Sequence, residues 1–99
     1  MLIKAIIEEI FDNYAIVVFE EYDNVSFWFD VKDLPEDARE GVLMDVEAPD
    51  DAVIPTEHSI KEPYDSNGLF RCLRIDYEET NRRIEKMKQV LREFGHWNL

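Results

Sequence analysis

The sequence predicts a small α+β domain, in which an antiparallel β-meander forms an SH3-like or OB-like partial barrel of about five strands. One C-terminal amphipathic helix caps this barrel. Three observations predict this fold: β-forming residues fill the first half, short turn sequences divide them, and a helical period occupies the end. With 99 residues, of which 45% are hydrophobic, the chain suits one core. We therefore predict a single domain over 1–99, with a β-rich body over 1–75 and a helix over 76–95.

The first two strands are predicted over 2–11 and 14–20, which are rich in Ile, Val and Phe. Asp12-Asn13 lies between them, and two turn-forming residues between β-forming segments predict a hairpin. The two strands are therefore expected to pair antiparallel.

A third strand is predicted over 25–31, after a turn at 21–24. Its side chains alternate between the two faces of the sheet. One face receives Val25, Phe27, Phe29 and Val31, and the other receives Ser26, Trp28 and Asp30. This strand completes an antiparallel meander of three strands.

The segment 32–41 breaks the strand pattern. Asp33 and Pro35 indicate the start of a helical turn, and Gly41 indicates a left-handed exit from it. Strand character returns over 42–46.

An acidic, proline-containing loop is predicted over 48–68, because this stretch holds three of the four prolines and has little periodicity. A last strand is predicted over 69–75, just before the helix.

The C-terminal helix is predicted to begin at a capping box of Asp76 and Glu79, and to end at Gly95. Side chains spaced by three and four residues share one side of this helix. We call them the apolar stripe: Tyr77, Ile84, Met87, Leu91 and Phe94, with Thr80 at the remaining step. One stripe implies one buried side, so we expect the helix to pack this stripe against the β-rich body.

The formal net charge is −12, from 23 acidic and 11 basic residues. This balance argues against a nucleic-acid-binding surface and against adsorption to an anionic membrane. No apolar run approaches the roughly 20 residues of a membrane span, and the N-terminal segment turns acidic too early for a signal peptide. The single cysteine argues against an intramolecular disulfide, so we expect a soluble protein in the reducing cytoplasm.

The charge is distributed unevenly along the chain. Residues 1–79 carry 21 acidic and 6 basic groups, a net of −15, whereas residues 80–99 carry 2 acidic and 5 basic groups, a net of +3. The predicted helix is therefore cationic on an otherwise anionic molecule. Attraction to the body and a basic patch for a partner are both open explanations.

Three segments carry a resemblance: the hydrophobic start over 3–19, the turn DLPEDAREG at 33–41 and the junction IDYEETNRRI at 75–84. Together they resemble a family of short prokaryotic proteins, grouped as domain of unknown function three thousand and six. The resemblance implies a compact bacterial or archaeal domain. The family has no assigned activity, so the resemblance implies no functional residues.

Metal and nucleophile chemistry find little support. Zinc needs three or four Cys or His ligands, and Cys72, His58 and His96 are widely separated and form no paired motif. Cys72 lies within a predicted strand, where a lone cysteine usually packs in the core, although His58 is a conceivable base for it.

The carboxylates and glycines of the chain also form no known site. The acidic cluster Asp45, Glu47, Asp50 and Asp51 lacks the alternation and the glycine of a calcium loop. The three glycines do not form a phosphate-binding loop. We therefore expect no metal, no cofactor and no enzymatic activity.

The aromatic residues, 12% of the chain, raise the question of what covers Trp28. Either the C-terminal helix covers it, or Trp28 belongs to an exposed aromatic patch with Tyr22 and Tyr64, rimmed by acids, as in an interaction hot spot. Trp97 follows the predicted helix end, where a terminal Trp usually packs on the body or on a second chain.

The leading functional hypothesis is a non-catalytic protein-binding module for a partner with a basic surface, and a homodimer is possible. The residues expected to bind are Tyr22, Trp28, Asp30, Asp50, Asp51 and Tyr64. One alternative is an inhibitor or immunity-type protein that acts on a nuclease or another basic nucleic-acid-binding protein. Another is a small ligand-binding barrel.

Overall fold

The computed structural model describes residues 1–55 and 62–94. Within them, six strands form one open sheet in the order β5-β3-β2-β1-β4-β6, and one helix follows. All neighbouring strands are antiparallel except β3 and β5. The elements are β1 Leu2–Ile10, β2 Tyr14–Phe19, β3 Val25–Asp30, β4 Leu43–Glu47, β5 Tyr64–Asp65, β6 Arg71–Ile75 and α1 Tyr77–Phe94.

The α+β class is therefore confirmed, with one strand more than the sequence predicted. The additional strand, β5, lies in the segment 48–68, where only a loop was expected. A strand of two residues is too short to show alternation, so the sequence offers no pattern for it. The predicted meander of β1, β2 and β3 is confirmed.

Both predicted turns of the meander are present. Asp12 and Asn13 connect β1 to β2, and the Phe11 N–H donates to the Tyr14 carbonyl at 2.7 Å. Before β3, Asp23 (φ 56°) and Asn24 (φ 58°) adopt the left-handed conformation that a tight turn requires.

The helical turn predicted between β3 and β4 lies earlier than expected. It covers Val31–Asp33, and Asp30 caps it by accepting the Lys32 N–H at 2.9 Å. A turn at Ala38, whose N–H donates to the Pro35 carbonyl, continues the connection. The left-handed exit at Gly41 (φ 88°) is confirmed.

The core lies on the concave face of the curled sheet. Phe70, which precedes edge strand β6, stacks on Phe29 of β3 at 5.8 Å between ring centroids, although three strands separate β3 from β6 in the sheet order. The sheet therefore curls into a partial barrel without closing. The large buried side chains include Ile3, Ile7, Val17, Phe19, Phe27, Phe29, Met44, Val46 and Phe70.

The helix begins as predicted, with Asp76 accepting the Glu79 N–H at 3.0 Å. The Glu79 carboxylate pairs with Arg82 and Arg83. Thr80, 5% exposed, contacts β4 through a hydrogen bond from the Leu43 N–H.

The expectation that the apolar stripe packs on the body is wrong. Ile84, Met87 and Leu91 are 46%, 66% and 63% exposed. Spacing shows which side chains share a face of a helix, but the direction in which the helix leaves the sheet decides whether that face is covered. The helix contacts the body through Thr80 in its first turn and Arg83 in its second, and it leaves Ile84, Met87 and Leu91 about half exposed or more. The predicted end at Gly95, the Phe94 side chain and Trp97 lie outside what the structure describes.

No helix in the described part of the chain has the length and apolarity needed to cross a bilayer.

Candidate protein-binding surface

Three aromatic side chains meet on the outer face of the sheet, which is the face opposite the core. We call Phe11, Tyr14 and Trp28 the aromatic patch. The centroid of the Trp28 ring system is 5.8 Å from that of Phe11, and 6.4 Å from that of Tyr14, which meets it edge to face. Edge-to-face and tilted pairs at these distances are favourable.

Strand alternation and strand register build this patch. Phe27 and Phe29 point into the core, so Trp28 between them points outward. Trp28 lies opposite Ile16, and Tyr14 comes two residues earlier than Ile16 on the same face. Because the β1–β2 turn follows Phe11 directly, this ring reaches the same end of the sheet.

The patch is accessible to a partner. Phe11 is 46% exposed and Tyr14 is 54% exposed, while Trp28 is half-buried between them. Tyr14, Trp28 and Asp65 line a shallow concavity of about 260 Å³. A partner side chain placed there would lie against two aromatic rings and a carboxylate.

Carboxylates surround the rings. Asp30 lies opposite Tyr14 in the β2–β3 register, Asp65 lies opposite Trp28 in the β3–β5 register, and Asp12 is in the adjoining turn. Asp65 is held in place because its Oδ1 accepts the Asn67 N–H at 2.9 Å. The acidic rim, which we define as Asp12, Asp30 and Asp65, gives the patch a negative edge.

The structure divides the six residues expected to bind. Trp28 and Asp30 lie at the aromatic patch. Tyr64, although next to Asp65, points to the core side, where its ring centroid is 5.8 Å from that of Phe27.

Tyr22, Asp50 and Asp51 belong to a different region, near the N-terminus. The Tyr22 hydroxyl donates to Met1 Sδ at 3.8 Å, and the Met1 amino group lies 3.0 Å from Asp50 Oδ1. Asp51 follows Asp50 and is exposed. The residues expected to form one binding surface therefore lie in two separate regions of the structure.

Four members of the surface, Phe11, Asp12, Tyr14 and Asp65, were not expected from the sequence. Tyr14 shares its face with Ile16, which alternation alone shows, but only the pairing of β2 with β3 places it beside Trp28. The position of Asp65 beside Trp28 depends on the parallel pairing of β3 with β5, which the sequence pattern does not predict.

A second cluster of charges lies at the base of the helix. Lys4 Nζ donates to the carboxylates of Asp45 and Asp76, and Arg74 Nε lies 3.0 Å from Asp45 Oδ2. Burial alone would raise the pKa of Asp45, but the hydrogen bonds from Lys4 and Arg74 outweigh it and hold this pKa below its ordinary value. The Glu79 N–H and then Lys4 lower the pKa of Asp76, and both carboxylates raise the pKa of Lys4. This cluster fastens the helix to the sheet.

Cys72 is half-buried at the edge strand β6. Burial, and then the negative charge of Asp33, raise the pKa of its thiol to about 12. The thiol is therefore protonated at neutral pH, which fits the packing role expected for it. His58 and His96 lie outside the described residues, and within those residues no three His, Cys, Asp or Glu side chains are grouped to hold a metal ion.

Comparison of the chain with protein-family models gives no match, and comparisons with curated proteins and with solved structures give no significant match either. The resemblance to domain of unknown function three thousand and six therefore stays a prediction.

Proposed function

We propose that the protein is a non-catalytic binding module, whose aromatic patch and acidic rim contact a protein partner with a basic, amphipathic surface. The observation that carries this proposal is the combination of Phe11 and Tyr14, both about half exposed, against Trp28, with carboxylates on the edge. Monomeric proteins usually bury such groups of large rings. The single, reduced Cys72 favours action in the cytoplasm.

The two parts of the surface have different roles. The carboxylates of the acidic rim, together with the net charge of −12, attract a cationic partner and raise the rate of association. The rings exclude water at the centre of the contact and supply most of the affinity that remains after the ordering costs of binding. Trp28 is the expected anchor, because it is the largest ring and is held from two sides.

A titration with a defined probe tests this proposal. The probe is a synthetic 18-residue amphipathic peptide of Leu and Lys, and Trp97→Phe leaves Trp28 as the only Trp. We expect saturable binding with a blue shift of the Trp28 emission. A peptide of Leu and Glu should produce no shift.

Matched charge variants separate a defined surface from general attraction. Asp30→Asn with Asp65→Asn removes two charges at the rim and keeps oxygen acceptors for the turn hydrogen bonds. Asp50→Asn with Asp51→Asn removes the same charge in the other region. The rim pair should weaken binding at least about 10-fold more than the control pair. Equal weakening by the two pairs would contradict the proposal.

A further inference from the structure

The helix presents an apolar stripe that its own body does not cover. Ile84, Met87 and Leu91 repeat with a spacing of three and four residues along one side of an 18-residue helix, which is about 27 Å long. They are 46% to 66% exposed. A helix with such a stripe is stable in water chiefly when another surface covers it.

The residues that border the apolar stripe indicate which charge a surface that covers it should carry. Arg83 and Lys88 lie at the positions that border Ile84, Met87 and Leu91 on either side, and no acidic residue occupies these positions. Arg83 already pairs with Glu20 and Glu79. Lys88 is 61% exposed and among the described residues has only a 3.7 Å contact with Glu85 on the helix surface, so Lys88 is the cation available to a partner. Two parallel copies of the helix would place Arg83 of one against Lys88 of the other, and antiparallel copies would gain no opposite-charge pair at these positions. The covering surface should be apolar at its centre and acidic at its edge.

The aromatic patch with its acidic rim has this composition. We propose that a second copy of this chain covers the stripe, with the helix of each protomer seated on the aromatic patch of the other. This inference rests on the proposed function, because it names an occupant for the same surface. Leu91 and Met87 would contact the rings, and Lys88 would approach Asp30 or Asp65 of the second copy.

Within one copy the helix does not cover this patch. Arg83 NH1 lies 2.8 Å from Glu20 Oε1, just after β2 ends, whereas Tyr14 begins β2. Six residues of strand separate these points, a distance of roughly 20 Å, and Phe11 and Tyr14 stay 46% and 54% exposed. The patch and the stripe of one protomer are therefore both available to a second copy.

The area of contact also favours a reciprocal pair. A stable interface needs about 800 Å² from each partner, more than one short stripe of three or four side chains provides. A two-fold pair uses the stripe and the patch of both protomers, so the contact area doubles. The proposed dimer therefore contains two equal helix–patch contacts.

Analytical ultracentrifugation of variants at exposed positions tests this arrangement. Leu91→Glu disables the helix, and Tyr14→Lys disables the patch. Val53→Glu, at a residue 88% exposed, and Leu73→Lys, on edge strand β6 and 40% exposed, are matched controls. Circular dichroism verifies that each variant is folded.

We expect the wild-type chain and both controls to form dimers, and each of the two test variants alone to raise the dimer dissociation constant at least about 30-fold. An equimolar mixture of Leu91→Glu and Tyr14→Lys retains one intact contact, so its dimer dissociation constant should lie between that of the wild-type chain and that of either variant alone. A monomeric wild-type chain overturns the proposal, and so does a mixture that associates no more tightly than the two variants do separately. A dimer that survives Tyr14→Lys but not Leu91→Glu would indicate helix–helix pairing instead.

The peptide titration, repeated in the monomeric Leu91→Glu background, separates this inference from the proposed function. If the wild-type chain is monomeric while Trp28 still reports the Leu and Lys peptide, the dimer is wrong and the binding surface stands. If the peptide does not bind an unoccupied patch, both are wrong.

Discussion

The hydroxyl oxygen of Thr80 accepts the backbone N–H of Leu43 at 2.9 Å, and this hydrogen bond is buried. The carbonyl of the same Leu43 accepts the Asp76 N–H at 2.8 Å. Strand β6 ends at Ile75, so the first turn of the helix takes over the pairing of β4 where the strand stops. A polar side chain in the apolar stripe thus joins the helix to the sheet.

Thr80→Val should lower the free energy of unfolding by about 1–3 kcal/mol, because it leaves the Leu43 N–H buried without an acceptor. Thr80→Ser keeps the hydroxyl and should cost less than about 1 kcal/mol. Urea denaturation followed by circular dichroism measures both variants. A larger loss in Thr80→Ser than in Thr80→Val would mean that the methyl group, not the hydrogen bond, stabilises the junction.

Asp45 should govern part of the acid stability. Its pKa in the folded chain is below the ordinary value of 3.8, so the stability it contributes is present above pH 3.8 and is lost as the pH falls through the folded pKa. The free energy of unfolding of the wild-type chain should therefore decrease as the pH falls from about 5 to below 3.8.

Asp45→Asn should flatten this pH dependence and destabilise the protein by about 2 kcal/mol at pH 7, since Lys4 and Arg74 would lose a buried partner. The estimate is below the usual cost of breaking a buried pair because the Lys4 and Arg74 side chains are 37% and 78% exposed. Asp50→Asn, at a side chain 97% exposed, is the control. An unchanged slope in Asp45→Asn would refute this role.

Alanine substitutions at Trp28 and at its neighbour Phe27 should affect different quantities, the affinity for a partner and the free energy of unfolding. Trp28→Ala should weaken binding of the Leu and Lys peptide by about 2 kcal/mol or more, as expected of a hot spot. Phe27→Ala, at a core ring, should instead lower the free energy of unfolding by about 3–5 kcal/mol. Urea denaturation measures the stability of both variants, and isothermal titration calorimetry with the same peptide measures their affinity, because Trp28→Ala removes the fluorescent reporter. If Trp28→Ala destabilises the fold as much as Phe27→Ala and leaves the affinity of the folded protein unchanged, the patch is a packing feature.

The parts of the fold that the sequence predicted are those set by local chemistry. Alternation in β3 separates Phe27 from Trp28, Gly41 marks a left-handed residue, and Asp76 marks the start of the helix. Each of these signals depends on a few adjacent residues. The direction of the helix depends on contacts of Thr80 with a strand far away in the chain, so spacing alone did not reveal that the stripe is uncovered.

In the candidate surface too, local patterns predicted some residues, and long-range strand pairing placed the others. Trp28 and Asp30 were predicted because one strand shows both on its outer face. Phe11 and Tyr14 join them only through the pairing of three strands, and Asp65 only through the parallel β5. Tyr64 was misplaced because a strand of two residues gives no alternation from which its face can be read.

Cys72 should react slowly with alkylating agents. With its thiol pKa raised from 9.0 to about 12, roughly one thousandth of the usual thiolate is present at pH 7.5, and the greater nucleophilicity of a more basic thiolate compensates only in part. We expect iodoacetamide to react at least about 30-fold more slowly than with the unfolded chain, at a rate that rises about tenfold per pH unit up to pH 9. Because burial is the main cause of the raised pKa, Asp33→Asn should accelerate the reaction only slightly. Mass spectrometry of timed samples measures the rate, and a plateau near pH 8 would show that the thiol is not shielded as the structure indicates.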